Sequence, residues 1–124
     1  MKLLLDTHVF LWWREDSPRL RDEARRAIAA AETAYVSAAS AWEAAIKVAL
    51  GHLRIPEPFE EGVVASLFVR LPITFAHATA AGALPPHHGD PFDRMLIAQA
   101  QAEGLMLVTH DRRFRGYSIP ILWT

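Results

Sequence analysis

The sequence predicts an α/β fold in which helices cover both faces of a parallel sheet. Two observations indicate it. Short apolar runs, at residues 3–5 and 105–109, have the length of buried strands. Segments with apolar residues at helical spacing lie between such runs, and strands that alternate with helices are typical of parallel sheets. Because the chain has 124 residues and no linker-like tract, we expect a single domain over residues 1–124.

The first half of the chain is predicted to run strand 3–5, helix 9–13, helix 18–31, strand 34–36 and helix 40–51. The opening run of three leucines ends at a carboxylate, which makes it too short for a membrane span or a signal peptide. Ser17 and Pro18 suit the start of an amphipathic helix, because proline favours the first helical position. Ser40 suits the start of the next helix, and Gly51 suits its end.

The second half is predicted to run helix 58–69, strand 71–73, helix 75–83, helix 91–104, strand 105–109 and strand 119–122. Pro72 and Pro120 assign the third and last strands to sheet edges, since proline lacks the donor that a central strand needs. Asp90 and Pro91 suit the start of the long helix, and Gly104 suits its end.

The composition excludes several kinds of chemistry. No cysteine is present, which rules out disulfides, thiolate zinc sites and cysteine nucleophiles, and favours a cytoplasmic location. The 13 basic and 14 acidic residues give a net charge of −1, whereas proteins that grip nucleic acid by charge alone are usually basic. No apolar run is long enough for a membrane helix, so no membrane partner is expected.

Four acidic residues from distant segments are predicted to meet at one edge of the sheet. Asp6 follows the first strand, and Asp111 follows the strand that ends at Thr109. Glu43 and Asp93 lie in the first turns of their predicted helices. In open parallel sheets the functional site lies beyond the carboxyl ends of the strands, where the strand order reverses.

Each acidic residue also has a purely structural interpretation. Glu43 could complete a capping box with Ser40, and Asp93 could do so with Asp90. Asp6 could cap the helix that follows it, and Asp111 could hold a turn. Taken singly, these interpretations are at least as good as a catalytic one, because acidic residues are common in first turns.

The helical spacing favours a metal site over caps alone. Asp93 lies three and four residues before Leu96 and Ile97, so its side chain is expected to face partly toward the sheet. Glu43 has the same relation to Ile46. Several carboxylates brought together would repel one another, and a hard divalent cation, Mg²⁺ or Mn²⁺, would offset that repulsion. Carboxylate-bound magnesium is suited to hydrolysis of phosphodiesters by an activated water.

Basic residues and histidines near these acids offer further candidates. Arg112, Arg113 and Arg115 follow Asp111 and could contact RNA phosphates or form a solvated turn; Arg94 could contact phosphate or orient carboxylates. His87 and His88 precede Asp90, but no second clustered pair accompanies them. The sequence therefore favours a polar loop there rather than a transition-metal site.

Four segments together resemble the PIN-domain toxins of the VapC family, from bacterial type II toxin–antitoxin pairs. They are residues 3–8 (LLLDTH), 40–43 (SAWE), 90–98 (DPFDRMLIA) and 107–111 (LVTHD). The resemblance implies a three-layer α/β/α sandwich with strand order 3-2-1-4-5. It also implies a Mg²⁺-dependent endoribonuclease acting on structured RNA, often transfer RNA, as a homodimer that a VapB-type antitoxin inhibits.

The resemblance further implies roles for single residues. Asp6 and Asp93 would be the chief metal ligands, and Glu43 and Asp111 would complete the catalytic set. The hydroxyls of Thr7 and Thr109 would lie beside the ligands and orient them. Asp90 departs from the family pattern as an additional acid one turn before Asp93, where it would be a fifth site residue or, preferably, the helix cap.

Two other functions remain open from the sequence. A PIN-like fold could hold a partner without cleaving anything, although the full set of acidic residues argues against that. A phosphatase of the haloacid-dehalogenase type would use Asp6 as its nucleophile. That chemistry expects a second acid two residues later, where this chain has His8.

Overall fold

The computed structural model describes all 124 residues and contains one five-stranded parallel sheet. The strand order is β3-β2-β1-β4-β5, so the predicted order is confirmed. The strands are β1 (Lys2–Leu5), β2 (Thr33–Ser37), β3 (Val69–Leu71), β4 (Met106–Thr109) and β5 (Ile121–Trp123). The strand order reverses between β1 and β4, and parallel sheets of this kind open a crevice at that point.

Six helices connect the strands and cover both faces of the sheet. They are α1 (Thr7–Glu15), α2 (Asp22–Ala30), α3 (Ala38–Ala49), α4 (Phe59–Ala65), α5 (Phe75–Ala83) and α6 (Pro91–Glu103). A single 3₁₀ turn follows β4 at Arg112–Phe114. None of the helices has both the length and the hydropathy that a membrane crossing requires.

The leucines of β1 divide the core into two layers, because successive side chains of a strand point to opposite faces. Leu3 and Leu5 pack in a buried cluster with side chains of α1, α2 and α4. Leu4 packs in a second buried cluster with Leu96 and Ile97 of α6. Burial on both faces explains why β1 is an uninterrupted apolar run rather than an alternating one.

Two helices begin at different residues from those predicted, and in both cases a side chain explains the difference. Ser17 and Pro18 open a turn that buries Leu20, so α2 begins at Asp22 rather than at residue 18. The hydroxyl of Ser37 accepts a hydrogen bond from the amide of Ala39, so α3 begins before Ser40. As a consequence, Glu43 lies in the second turn of α3.

Both edge strands differ from the predicted positions: β3 lies two residues earlier, and β5 begins two residues later and ends one residue later. β3 pairs with β2 through Val69–Leu71 and ends before Pro72, which cannot donate to the ladder. Its start is set by the end of α4, where Leu67 adopts a left-handed backbone with φ of 60°. β5 pairs with β4 through Ile121–Trp123, directly after Pro120.

Candidate active site

A polar cavity of about 100 Å³ lies beyond the carboxyl ends of β1 and β4. No hydrophobic residue lines it. The structure brings all four predicted acidic residues into its wall, together with a fifth. The acidic residues of the cavity are Asp6, Glu43, Asp90, Asp93 and Asp111.

Asp6 is both a helix cap and a member of the cavity wall. One carboxylate oxygen accepts a hydrogen bond from the amide of Val9 at 2.8 Å and so caps α1. The other accepts one from the hydroxyl of Thr109 on β4. Burial raises the pKa of the Asp6 carboxyl above its usual range, although both hydrogen bonds oppose the rise. The capping interpretation and the site interpretation are therefore compatible at this position.

Glu43 is buried, and both its carboxylate oxygens have partners in the site. The hydroxyl of Thr7 donates to Oε1 at 2.6 Å, and the ammonium of Lys47 donates to Oε2 at 2.7 Å. The proposed capping box with Ser40 is excluded, because both residues lie inside α3 rather than at its start. Lys47 lines the same cavity and was not identified from the sequence.

Asp93 occupies the first turn of α6 and shares the cavity wall with the four other acids. The carboxylate of Asp90 accepts a hydrogen bond from the amide of Asp93 at 3.0 Å, so Asp90 is the helix cap, as the sequence favoured. Burial and then the charges of Asp90, Glu43, Asp6 and Asp111 raise the pKa of Asp93 to about 8. An ionised Asp93 is therefore unfavourable in this wall without a compensating positive charge.

Asp111 has the opposite electrostatic environment. The guanidinium of Arg113 donates to both of its carboxylate oxygens, the shortest bond being 2.7 Å, and holds the pKa of Asp111 below its usual range. The carboxylate also accepts a hydrogen bond from the amide of Arg113 and so caps the 3₁₀ turn. Asp111 is thus an ionised member of the cavity wall.

His88 lies in the loop before α6, as the sequence favoured, but its side chain is buried in the site rather than facing solvent. Its neighbour His87 is exposed, but His88 is only 4 % exposed and lies against the acidic cluster. Nε2 of His88 is 2.7 Å from a carboxylate oxygen of Asp93. Ligand atoms of His88, Asp93 and Asp111 lie within 4.8 Å of one another. The signal available in the sequence was the short spacing of His88, Asp90 and Asp93.

Arg94 does not line the cavity, and its predicted contact with RNA phosphate needs correction. Its guanidinium donates to the carbonyl oxygens of Ala81, Leu84, Pro85 and His88, at 2.9 to 3.3 Å. These four hydrogen bonds hold the loop between α5 and α6 in its conformation. The charge of Arg94 thus organises the backbone that carries His88 and Asp90 to the site.

The three arginines after β4 have different positions. Arg113 pairs with Asp111 at the cavity, while the guanidiniums of Arg112 and Arg115 lie 4.8 and 5.9 Å from the ring centre of Trp123. A larger open groove of about 490 Å³ adjoins the cavity and shares its walls at Asp6, His8, Asp111 and Arg113. Its other lining residues are Trp12, Arg19, His110 and Arg112. Arg115 does not line this groove.

Sequence comparison identifies the family. A sequence model of the PIN domain matches residues 3–119, which is almost the whole chain. The chain belongs to the PIN-domain family. The PIN domain is 36 % identical to Ribonuclease VapC22 of Mycobacterium tuberculosis over 121 residues, covering 95 % of this chain and 93 % of that protein. This identity assigns it to the VapC family, as the resemblance implied.

Solved structures with the same fold include proteins crystallised as complexes. VapBC2 from Rickettsia felis, bound to a promoter DNA fragment, aligns over 100 % of this PIN domain and 99 % of that chain, with a TM-score of 0.70 and 15 % identity. FitAcB from Neisseria gonorrhoeae aligns over 98 % and 96 %, with a TM-score of 0.69 and 19 % identity. A toxin–antitoxin complex from Klebsiella pneumoniae aligns over 97 % and 95 %, with a TM-score of 0.67 and 20 % identity.

The ligand atoms of the cavity suit a hard divalent cation. Five carboxylates and the hydroxyl of Thr7 offer oxygen, which Mg²⁺ and Mn²⁺ prefer, and no thiolate is present. The pKa of Asp93 is raised because its ionised form is unfavourable in this buried, acidic wall, and a bound cation would favour that ionised form. The residues of this PIN domain therefore fit a divalent metal ion.

Proposed function

We propose that this PIN domain is a magnesium-dependent endoribonuclease and the toxin of a type II toxin–antitoxin pair. It hydrolyses phosphodiester bonds in structured RNA, with transfer RNA as the favoured substrate. The observation that carries the proposal is the convergence of Asp6, Glu43, Asp93 and Asp111 on one polar cavity. A relative of 36 % identity is named a ribonuclease, and this supports RNA as the substrate. Mn²⁺ is the alternative ion.

The residues of the cavity have distinct proposed roles. Asp6 and Asp93 would hold the cation, and Glu43 and Asp111 would complete the acidic set. When bound, Mg²⁺ supplies an activated water and stabilises the charge that develops at the phosphate. Thr109 and Thr7 fix the orientations of Asp6 and Glu43 through their hydroxyl hydrogen bonds, which limits the freedom of both carboxylates.

We propose that RNA approaches through the adjoining groove. Arg112 and Arg113, which the sequence nominated, line this groove with Arg19, and all three side chains are exposed to approaching phosphates, although the Arg113 guanidinium is also bound to Asp111. The half-buried indole of Trp12 offers a surface against which a base can stack. Arg115 lies outside the groove and would contribute only by its long-range charge.

The proposed partners follow from the family rather than from the cavity. Relatives of the same fold are described as VapBC or toxin–antitoxin complexes, which supports a VapB-type antitoxin for this PIN domain. We also propose a homodimer. Exposed apolar side chains, including Trp42, Leu67 and Phe75, provide surface for such protein contacts. A cytoplasmic location is proposed because the chain has no cysteine.

The proposal is tested by incubating the purified protein with transfer RNA in the presence of Mg²⁺ or EDTA. We expect cleavage with Mg²⁺ and none with EDTA. Asp6→Asn and Asp93→Asn should each abolish cleavage while the protein remains folded. Asp22→Asn, which changes an exposed acid of α2 outside the cavity, is the matched control and should cleave normally.

Each arm has an outcome that would contradict the proposal. Full cleavage in EDTA would exclude the metal mechanism, and normal cleavage by both cavity variants would move the active site elsewhere. Binding of RNA or an antitoxin without cleavage of any RNA would favour the alternative, a catalytically silent PIN-like binding module.

A further inference from the structure

The imidazole of His88 is held between two residues at the start of α6. The amide of Asp90 donates a hydrogen bond to Nδ1 at 3.3 Å, so Nδ1 acts as the acceptor of the ring. We therefore assign the ring proton to Nε2, because a neutral imidazole carries one donor and one acceptor nitrogen. Nε2 then donates to Asp93 at 2.7 Å.

The position of the ring is fixed by its own surroundings as well. The amide of His88 donates to the hydroxyl of Tyr117 at 2.8 Å, and its carbonyl accepts from Arg94. The ring packs edge-on against the buried ring of Phe114, with 5.6 Å between the centres. Contacts from α6 and from the segment that follows β4 thus determine where Nε2 points. A histidine that only faced solvent would not need its ring nitrogen held in one direction.

Asp93 needs a donor of this kind more than the other acids do. The hydroxyls of Thr109 and Thr7 orient Asp6 and Glu43, but no hydroxyl donates to the carboxylate of Asp93. A carboxylate that binds a cation through one oxygen keeps its orientation best when the other oxygen accepts a hydrogen bond. Nε2 of His88 provides that bond.

We propose that His88 is a positioning residue that orients the Asp93 carboxylate for the divalent cation and does not bind the cation itself. This inference rests on the proposed function, because it assumes that Asp93 is a metal ligand. The N–H of Nε2 is directed at Asp93, which leaves no lone pair on that nitrogen for a metal. The three polar residues of this segment thus have separate roles: His88 donates a hydrogen bond, Asp90 caps α6, and Asp93 binds the ion.

The test compares two substitutions, to glutamine and to asparagine, whose side-chain amides differ in reach by one methylene group. The amide nitrogen of glutamine can occupy roughly the place of Nε2 and donate to Asp93, whereas the shorter asparagine cannot reach it. His88→Gln and His88→Asn are therefore the informative pair. His87→Asn changes the exposed neighbouring histidine and is the matched control. Thermal unfolding in EDTA shows whether each variant folds as well as the wild type.

The principal measurement is Mg²⁺ and Mn²⁺ binding by calorimetry, followed by transfer RNA cleavage over a range of Mg²⁺ concentrations. We expect His88→Asn to weaken metal binding by about 10- to 100-fold, as is usual when the partner of a metal ligand is lost. His88→Gln and His87→Asn should bind close to the wild type. Saturating Mg²⁺ should restore cleavage by His88→Asn, because the reacting groups are unchanged.

The remaining outcomes are distinguishable. Equal loss of metal binding in His88→Gln and His88→Asn would overturn the inference and indicate that the imidazole binds the ion directly. Unchanged binding in both variants would also overturn it while leaving the proposed function intact. A wild-type protein that neither binds Mg²⁺ nor cleaves RNA would overturn the proposed function and this inference together.

Discussion

The carboxyl of Asp93 has a strongly raised pKa. Burial and four neighbouring acids raise its pKa to about 8, so at neutral pH the metal-free protein retains a proton there. The sequence indicated this environment through the apolar residues one turn further along the helix. It did not reveal that Asp90 would add a charge, because a helix cap and a site residue have the same sequence signature.

Substitution Asp93→Asn should separate stability from activity. Asparagine has the shape of the carboxyl but no charge, so the repulsion in the cavity is relieved. At pH 8.5 in EDTA we expect a higher melting temperature for the variant than for the wild type. With excess Mg²⁺ the order should reverse, because only the wild type binds the ion. Thermal unfolding measures both, and a variant that Mg²⁺ stabilises as much as the wild type would contradict the assignment of Asp93 as a ligand.

The stability of the metal-free protein should fall as pH rises toward 8. Because the folded pKa of Asp93 is raised above its unfolded value, the folded state binds the extra proton, and this contribution to stability is lost as pH rises through about 8. The pKa of His88 is lowered by burial, which acts in the opposite direction, but only below its ordinary value of 6.5. Above pH 6.5 the raised pKa of Asp6 acts in the same direction as that of Asp93, so the variant Asp93→Asn is needed to separate the two contributions.

Denaturation in EDTA between pH 6.5 and 9 is the appropriate measurement. Asp93 should contribute a slope of up to about 1.4 kcal/mol per pH unit, flattening above pH 8. Asp93→Asn is the control and should lose the contribution of Asp93 to the slope, leaving only that of Asp6. Mg²⁺ affinity should rise over the same range, since binding of the ion displaces the proton. A wild-type slope that persists unchanged in the variant would assign the titration to another group.

At the scale of helices and loops, individual side-chain hydrogen bonds set the helix starts and loop paths that the apolar pattern could not predict. The pattern located α3 correctly, yet Ser37 and Ser40 are equally good caps by type, and only the structure selects Ser37. That choice moved Glu43 out of the first turn and excluded its capping role. Arg94 was misassigned for a related reason: the carbonyls it binds come from a loop whose path the sequence does not specify.

The pairing of Lys47 with Glu43 along α3 yields a prediction. The two residues are one helical turn apart, and the ammonium of Lys47 donates a hydrogen bond to Oε2 of Glu43 at 2.7 Å in the cavity wall. Lys47→Met should lower RNA cleavage, because Glu43 loses an orienting partner and the cavity loses a positive charge near the phosphate. Lys47→Arg should retain most of the activity. Steady-state cleavage rates check this, and equal rates for Lys47→Met and the wild type would show that the pair is dispensable.

The hydrogen bonds of Arg94 to the loop between α5 and α6 should contribute to the stability of the fold. Its two terminal nitrogens satisfy four carbonyls, a geometry that the single ammonium of lysine cannot reproduce. We expect Arg94→Lys to destabilise the fold by about 1 to 3 kcal/mol, the range for hydrogen bonds to charged groups. Denaturant unfolding measures this, with Arg115→Lys at an exposed position as the control. Equal stabilities of the two variants would contradict a structural role for Arg94.

For the whole molecule, the sequence predicted the layers of the fold but not their connectivity. Apolar runs and helical spacing indicated a covered parallel sheet, and buried β1 and β4 agree with that pattern. The strand order came from the family resemblance, because no local signal specifies which strand neighbours β1. That order places the ends of β1 and β4 side by side, and it brings Asp6 within hydrogen-bond reach of Thr109 across 103 residues of chain.

A cation held by this arrangement should stabilise distant segments together. Asp6, Glu43, Asp93 and Asp111 begin or belong to four separate elements, so one bound ion joins the start of α1, α3, the start of α6 and the end of β4. Ligand at 100 times its dissociation constant stabilises the folded state by about 2.7 kcal/mol. We expect Mg²⁺ to slow amide hydrogen exchange in all four segments at once, including the amides of Val9 and Asp93. Helix α5, which does not line the cavity, serves as the internal reference, and Asp6→Asn should remove the protection from every segment. Protection confined to a single segment would indicate that Mg²⁺ binds outside the shared cavity.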